Sequence, residues 1–216
     1  MTRVAVVGTG ATGGAFAVGL VKEDPEVSLV LIDPDQVEWS NLPRAPWWTA
    51  QDVGQNKAQV LAGRLGSGRV TAVPAALLPE RADELLGDAD LVVDGTDNWE
   101  ARRTMQAWAA ARGRAWIYMS VLGLSGITAL FRPGQDPCLF CLFGETIQQG
   151  PHCFEAGVLG TVALAVAGEA LGRYAAWLRG DPGPFGLFLI DGLGGRTEVI
   201  RAETRCPHFA PLGSRA

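Results

Sequence analysis

The chain is predicted to fold as an α/β protein: a Rossmann-like, doubly wound, mostly parallel sheet with antiparallel C-terminal strands. Three observations carry that expectation. Short β-like runs alternate with helix-like runs from Arg3 to Ser120. A GxGxxG pattern, formed by Gly8, Gly10 and Gly13, follows the first apolar run directly. After Ser120 the alternation stops, and further strand-like runs flank one long helical stretch. Regular alternation calls for a parallel sheet with helices on both faces, because each strand must cross over before it can run the same way again.

Taken in order, strands are expected at Arg3–Val7, Val27–Asp33, Val70–Val73, Leu91–Asp94 and Trp116–Ser120, all short and rich in apolar residues. Between them Thr12–Lys22, Lys57–Leu65, Arg81–Leu86 and Trp99–Arg112 carry apolar residues at helical spacing. A strand follows at Leu124–Phe131. The segment Gln135–Phe154 is rich in Gly and Pro and has no clear period, which marks it as a mobile loop. The apolar stretch Val158–Leu171 contains Glu169 and is shorter than the roughly 20 residues that a bilayer demands. It reads as a buried helix running to about Arg179, with no membrane partner implied. The runs Phe185–Ile190 and Arg196–Ala202 are expected to extend the same sheet antiparallel. Length and the lack of a repeat or linker predict one domain over residues 1–216.

Composition narrows the function. Hydrophobic residues make up 48% of the chain, enough for a real core, and the formal net charge of −5 argues against a nucleic-acid surface. A basic or neutral peptide suits such a protein better. The start MTRVAVVG enters a strand directly, without the basic and apolar regions of a signal peptide, so a cytoplasmic location is expected. Four cysteines in that setting favour thiols or a metal site over disulfides.

The chemistry-bearing residues cluster at the ends of strands. Gly8, Gly10 and Gly13 open a helix whose free N–H groups and dipole stabilise an anion. Asp33, about 20 residues further on, suits ribose recognition. Those two features fit NAD and ATP equally well. The residues that follow, Asp35, Ser40, Asn41, Arg44 and Lys57, favour ATP, since a polyphosphate needs several fixed cations and donors close together and a dinucleotide site does not. LVVDGTDN then places Asp94 and Asp97 at the carboxyl edge of the sheet. Asp97 suits Mg²⁺, which takes one or two carboxylates alongside substrate phosphates. Asp94 reads as a cap or turn residue. Cys138-x-x-Cys141 is one half of a tetrahedral zinc site.

The ordered series GTGATGG, LIDPDQVEWSNLPR, DVGQNKA, LVVDGTDNWEARR, PCLFCLF, CFEAGVLG, GEALG and RCP resembles the ThiF/MoeB/HesA family, bacterial relatives of ubiquitin-activating enzymes. The resemblance spans nearly the whole chain. It implies Mg-ATP-dependent adenylation of the C-terminal glycine of a small ubiquitin-like or sulfur-carrier protein by a homodimer. On that basis Gly10 would approach the phosphates, Asp33 the ribose, Asn41, Arg44 and Lys57 the phosphate chain, and Asp97 the metal. Cys153 matches the cysteine that in relatives joins covalently to the carrier or to sulfur; the alternative is a half-buried loop thiol. His152 beside it reads as a surface residue. Relatives complete the zinc site with a second CxxC, where this chain has Cys206-Pro207-His208, so the choice lies between a Cys₃His site using His208 and free thiols.

Two departures stand out. Relatives place Gln after the SNLxR arginine, whereas this chain has Ala45, Pro46, Trp47 and Trp48, the tryptophans being expected at a dimer or carrier contact surface. Relatives also carry an N-terminal helix with an arginine that reaches the partner subunit's ATP, and this chain begins at the first strand. Two rival functions remain: an NAD-dependent oxidoreductase, and a non-catalytic carrier-binding module of the same fold.

Overall fold

The computed structural model describes residues 1–66, 68–144, 157–192, 196–200 and 206–208. Its centre is an eight-stranded sheet in the order β3-β2-β1-β4-β5-β6-β7-β8. Strands β1 (Arg3–Val7), β2 (Ser28–Ile32), β3 (Val70–Val73), β4 (Leu91–Asp94) and the start of β5 (Ala115–Leu122) pair in parallel. Strands β6 (Ser125–Phe131), β7 (Leu187–Asp191) and β8 (Arg196–Ile200) then pair antiparallel, as the sequence predicts. Residues Val4–Val7 of β1 and all of β4 are buried. Strands covered on both faces need apolar side chains on both, hence RVAVV and LVVD rather than an alternating pattern.

Helices α1 (Ala11–Glu23), α2 (Lys57–Leu65) and α6 (Gly160–Leu178) contribute to the core on one face of the sheet. The short α3 (Ala82–Leu86), α4 (Trp99–Arg112) and the single turn α5 (Leu139–Phe143) contribute to the other. Boundaries follow local chemistry. Asn98 caps α4 by accepting from the N–H groups of Glu100 and Ala101, and Gly113 ends it with φ 62°. Asn56 and Gly66 begin and end α2 in the same way.

Two expectations are corrected. The segment Gln135–Phe154 is not loop throughout: Leu139–Phe143 winds into α5, where buried Leu139 joins the core. Its later part, including Cys153 and His152, lies outside the described residues. Trp47 and Trp48 do not form a contact surface. Trp48 is 5% exposed, and Trp47 lies against Gly14 of α1, where a Cβ would meet the indole at 2.6 Å. A small residue in α1 makes room for the ring, and the pair packs inward as an edge-on couple with centroids 6.2 Å apart. The strand following β1 in sequence lies on one side of it and β4 on the other, so the crossovers diverge there and leave a crevice at the carboxyl ends of the strands.

Candidate functional site

That crevice is a cleft of about 260 Å³, lined by Gly8, Gly10, Asp33, Asp35, Asn41, Arg44, Lys57 and Asp97 along with apolar residues from the loop after β3 and from β5. Of the residues expected to bind a nucleotide, Gly13 and Ser40 are absent from the lining, the Ser40 hydroxyl donating instead to Glu38 Oε2 at 3.2 Å. Gly13 serves packing instead, since a Cβ there would run into the backbone of Gly8 and Gly95. Gly8, with φ 81°, is pressed just as closely on Gly95, at 2.7 Å from a built Cβ to its carbonyl carbon. Gly10 differs. A Cβ at that position meets nothing within 4 Å, so the space it leaves is room in the cleft and not room for another part of the protein. Among the described residues no side chain caps α1 at Gly10, which leaves a helix N-terminus of the kind that suits an anion.

Asp33 is 3% exposed and tightly held. Its Oδ2 accepts from the backbone N–H of Thr9 at 2.6 Å and from the Thr9 hydroxyl at 2.9 Å, while Oδ1 accepts from the Asp35 N–H at 2.9 Å. Burial pushes the Asp33 carboxyl above its ordinary value; the charge of Lys57 and the N–H donors of Thr9 and Asp35 pull it back. Thr9 thus fixes the orientation of the Asp33 carboxylate, a role invisible to a glycine pattern that counts it as an x. The Lys57 ammonium lies 2.9 Å from Asp35 Oδ2. Asn41, in the turn Trp39–Arg44, accepts from the Glu38 N–H through its side chain, which sets the course of the turn that brings Arg44 to the cleft.

On the far wall the structure joins Asp94 to Arg102, a pairing the sequence does not reveal. Asp94 is fully buried, and its Oδ1 accepts from the Thr96 N–H and hydroxyl at 2.8 and 2.7 Å, which is the expected turn role. Its Oδ2 accepts from Nε of Arg102 at 2.9 Å. The guanidinium also donates to the Thr96 carbonyl at 2.5 Å and lies over the rings of Trp99 and Tyr118, 5.0 and 4.9 Å from their centroids. One buried cation therefore fastens Asp94 and Thr96, the residues that lead into Asp97. Burial raises the Asp94 carboxyl, with the Arg102 charge opposing it.

Away from the cleft, Cys138, Cys141, Cys206 and His208 bring four donor atoms within 4.8 Å of one another. Cys138 Sγ lies 3.7 Å from Cys141 Sγ and 3.3 Å from His208 Nδ1, which is 3.5 Å from Cys141 Sγ and 3.8 Å from Cys206 Sγ. Metal–sulfur bonds of about 2.3 Å in a tetrahedron separate the ligand atoms by about 3.8 Å, so these distances fit one small ion. Without an ion, burial pushes the Cys138 thiol up to about 12. Gln106 steadies the turn by accepting from the Leu139 N–H at 2.7 Å.

With cleft and metal-type cluster in place, comparison with known proteins is decisive. The ThiF family model matches residues 1–208. The chain belongs to the ThiF family. It is 35% identical over 171 residues to the sulfur carrier protein ThiS adenylyltransferase of Bacillus subtilis, a match covering 76% of this chain and 51% of that protein. It is also 35% identical over 193 residues to the sulfur carrier protein adenylyltransferase of Thermus thermophilus, covering 82% of this chain and 71% of the relative. This ThiF-family chain thus spans about half the length of the first relative and under three quarters of the second. The crystal structure of E. coli MccB superposes with a TM-score of 0.82 over 99% of this chain and 66% of that one, at 18% identity, which confirms the fold.

The buried pair yields a direct test. Arg102→Met leaves Asp94 as an uncompensated buried charge and should cost about 3–5 kcal/mol in urea unfolding at pH 7. A carboxyl whose folded pKa is raised contributes stability below its unfolded value, near 3.8, and loses it as pH rises through the folded value. The deficit of the variant should therefore shrink as pH falls towards 4; a deficit independent of pH would show that Asp94 is not the group left exposed to the penalty.

Proposed function

We propose that the chain adenylates the C-terminal glycine of a small ubiquitin-like or sulfur-carrier protein with ATP, residues 1–216 acting as a single adenylation domain. The observation that carries this is the shared cleft. A helix N-terminus open to an anion, the Asp33 carboxylate, the side chains of Asn41, Arg44 and Lys57, and Asp97 all line one cavity at the sheet's switch point. Its relatives' names, sulfur carrier protein adenylyltransferases, supply the chemistry. An NAD-dependent oxidoreductase would leave the cations and Asp97 without a shared purpose.

In the proposed reaction a carboxylate oxygen of the carrier attacks the α-phosphorus. A new P–O bond forms, the bond from the α-phosphorus to the bridging oxygen breaks, and pyrophosphate leaves, giving an acyl adenylate. The attacking carboxylate is already ionised at neutral pH, so no general base is needed. Two anions must instead be brought together, and Arg44, Lys57 and the α1 N–H groups neutralise and align them. Asp97, exposed at the cleft, would hold Mg²⁺, which adds positive charge to the phosphates. Cys153 is the proposed thiol that, on its sequence match alone, attacks the acyl adenylate, a thioester C–S bond forming as the C–O bond to AMP breaks; the alternative is that it takes sulfane sulfur from a persulfide donor, which leaves as a thiol.

The Cys138, Cys141, Cys206 and His208 cluster supports a structural zinc site, closed by four protein ligands. A homodimer is supported by the outer face of α6, where Thr161, Leu164, Ala165, Gly168 and Gly172 are exposed and the bordering Glu169 is paired with Arg173. A cytoplasmic location accords with the reduced thiols at 138, 141 and 206. No helix among the described residues is long and apolar enough to cross a membrane.

Carrier-dependent ATP–pyrophosphate exchange tests the reaction. Lys57→Ala and Asp97→Ala should each reduce it about a hundredfold or more, while Cys153→Ala leaves it intact, and Mg-ATP but not NAD should raise the melting temperature. Wild-type rates in Asp97→Ala, or stabilisation by NAD alone, would overturn the assignment. Elemental analysis should find one zinc per chain, lost in Cys141→Ser with a lower melting temperature; a full-length protein with no zinc at neutral pH excludes the site. Sedimentation should show a dimer that Leu164→Glu turns into monomer, and an unchanged dimer would place the contact elsewhere.

A further inference from the structure

The segment after β2 and the start of α2 are joined by the side chain of Asn56, a member of DVGQNKA to which the resemblance assigns no role. Asn56 Nδ2 donates to the backbone carbonyl of Asp33 at 2.9 Å and to that of Asp35 at 3.1 Å. The other end of the same amide, Oδ1, accepts from the Gln59 N–H at 3.1 Å and caps α2. The next residue completes the join: the Lys57 N–H donates to the Asp35 carbonyl at 2.9 Å, and Gln36 and Asn56 form an antiparallel bridge. Lys57 is the first residue of α2, so its Cα is placed by this knot and its ammonium comes to rest 2.9 Å from Asp35 Oδ2 with 13% of the side chain exposed.

We infer that Asn56 is a positioning residue for Lys57, setting the lysine at a fixed offset from the Asp33 carboxylate so that both meet one nucleotide. The inference rests on the adenylation reading for what Lys57 meets. Two functions of the amide are separable by chemistry. Capping needs only the acceptor, which serine retains. Spanning two carbonyls 23 and 21 residues away needs the Nδ2 donor, which serine lacks and whose place aspartate fills with an oxygen. Long, flexible lysine side chains lose rotamer freedom on binding, so an anchored base at the helix start matters more for Lys57 than for a residue with a short side chain.

The test is a double-mutant cycle on the full chain, with Mg-ATP affinity read by titration calorimetry for wild type, Asn56→Ser, Lys57→Ala and the double variant. Asn56→Ser should weaken ATP about tenfold in the wild-type background and by less than about twofold once Lys57 is gone. Its melting temperature should stay within about 2 °C of wild type because the cap survives. Asn56→Asp is carried through the same cycle, so a folding defect in one variant leaves the other to decide. Equal losses in both backgrounds, or no loss in either, would overturn the role of Asn56. A wild type that does not bind ATP sinks the adenylation reading as well. A wild type that binds ATP and loses it in Lys57→Ala, yet keeps it in Asn56→Ser, removes Asn56 alone.

Discussion

Two loops leave neighbouring strands at the same edge of the sheet and pass so closely that only bare backbone fits between them. Gly8 after β1 and Gly95 after β4 are in contact, with the Gly95 N–H donating to the Val7 carbonyl at 2.7 Å, and Gly13 of α1 closes over both. Had any of the three a methyl group, α1 would have to lift away from the strand ends. The helix N-terminus would then no longer face the crevice that divergent crossovers open. The cleft's shape is thus a result of what is missing from three side chains, and the charged residues line one cavity because this approach holds.

Around that crossing, the charges lining the cleft are held by bonds to neighbouring groups. Asp33 is fixed by Thr9, the Asp97 turn by Arg102 through Asp94, and Lys57 by the loop it bonds to. Buried carboxylates are costly unless their partners are complete, and here both have them: three donors on Asp33, and a guanidinium plus two Thr96 donors on Asp94. A fixed arrangement of this kind would spare the site, in the proposed reaction, from reorganising its dipoles around phosphate charge.

How much of this can be read from the chain depends on the range of the interaction. Strand and helix positions are legible because period-2 and 3.6 patterns are local, and the antiparallel addition is legible from the break after Ser120. The residues lining the cleft are legible because parallel topology forces strand ends to one edge, so Asp33 and Asp97 have to converge. Partners across loops are not. Nothing in WEARR distinguishes Arg102, buried under two rings, from Arg103 on the exposed side of the same helix. Asn56 looks like a polar residue before a helix, and its second bond crosses to a loop 21 residues back. Trp47 and Trp48 mislead because adjacent aromatic residues say nothing about direction; Gly14, 33 positions earlier in the chain, decides it by leaving a hollow for one ring.

The pairing of Lys57 with Asp35 has a thermodynamic consequence. An ammonium already sharing its charge with a carboxylate in the resting protein cannot count the whole attraction of an incoming phosphate as gain, because one counter-ion is traded for another. Attraction is thereby moderated, and so is its sensitivity to ionic strength. Under the proposed adenylation, a catalyst that must let go of a spent nucleotide on every cycle would be better served by such a compromise than by an unsatisfied cation that grips and holds.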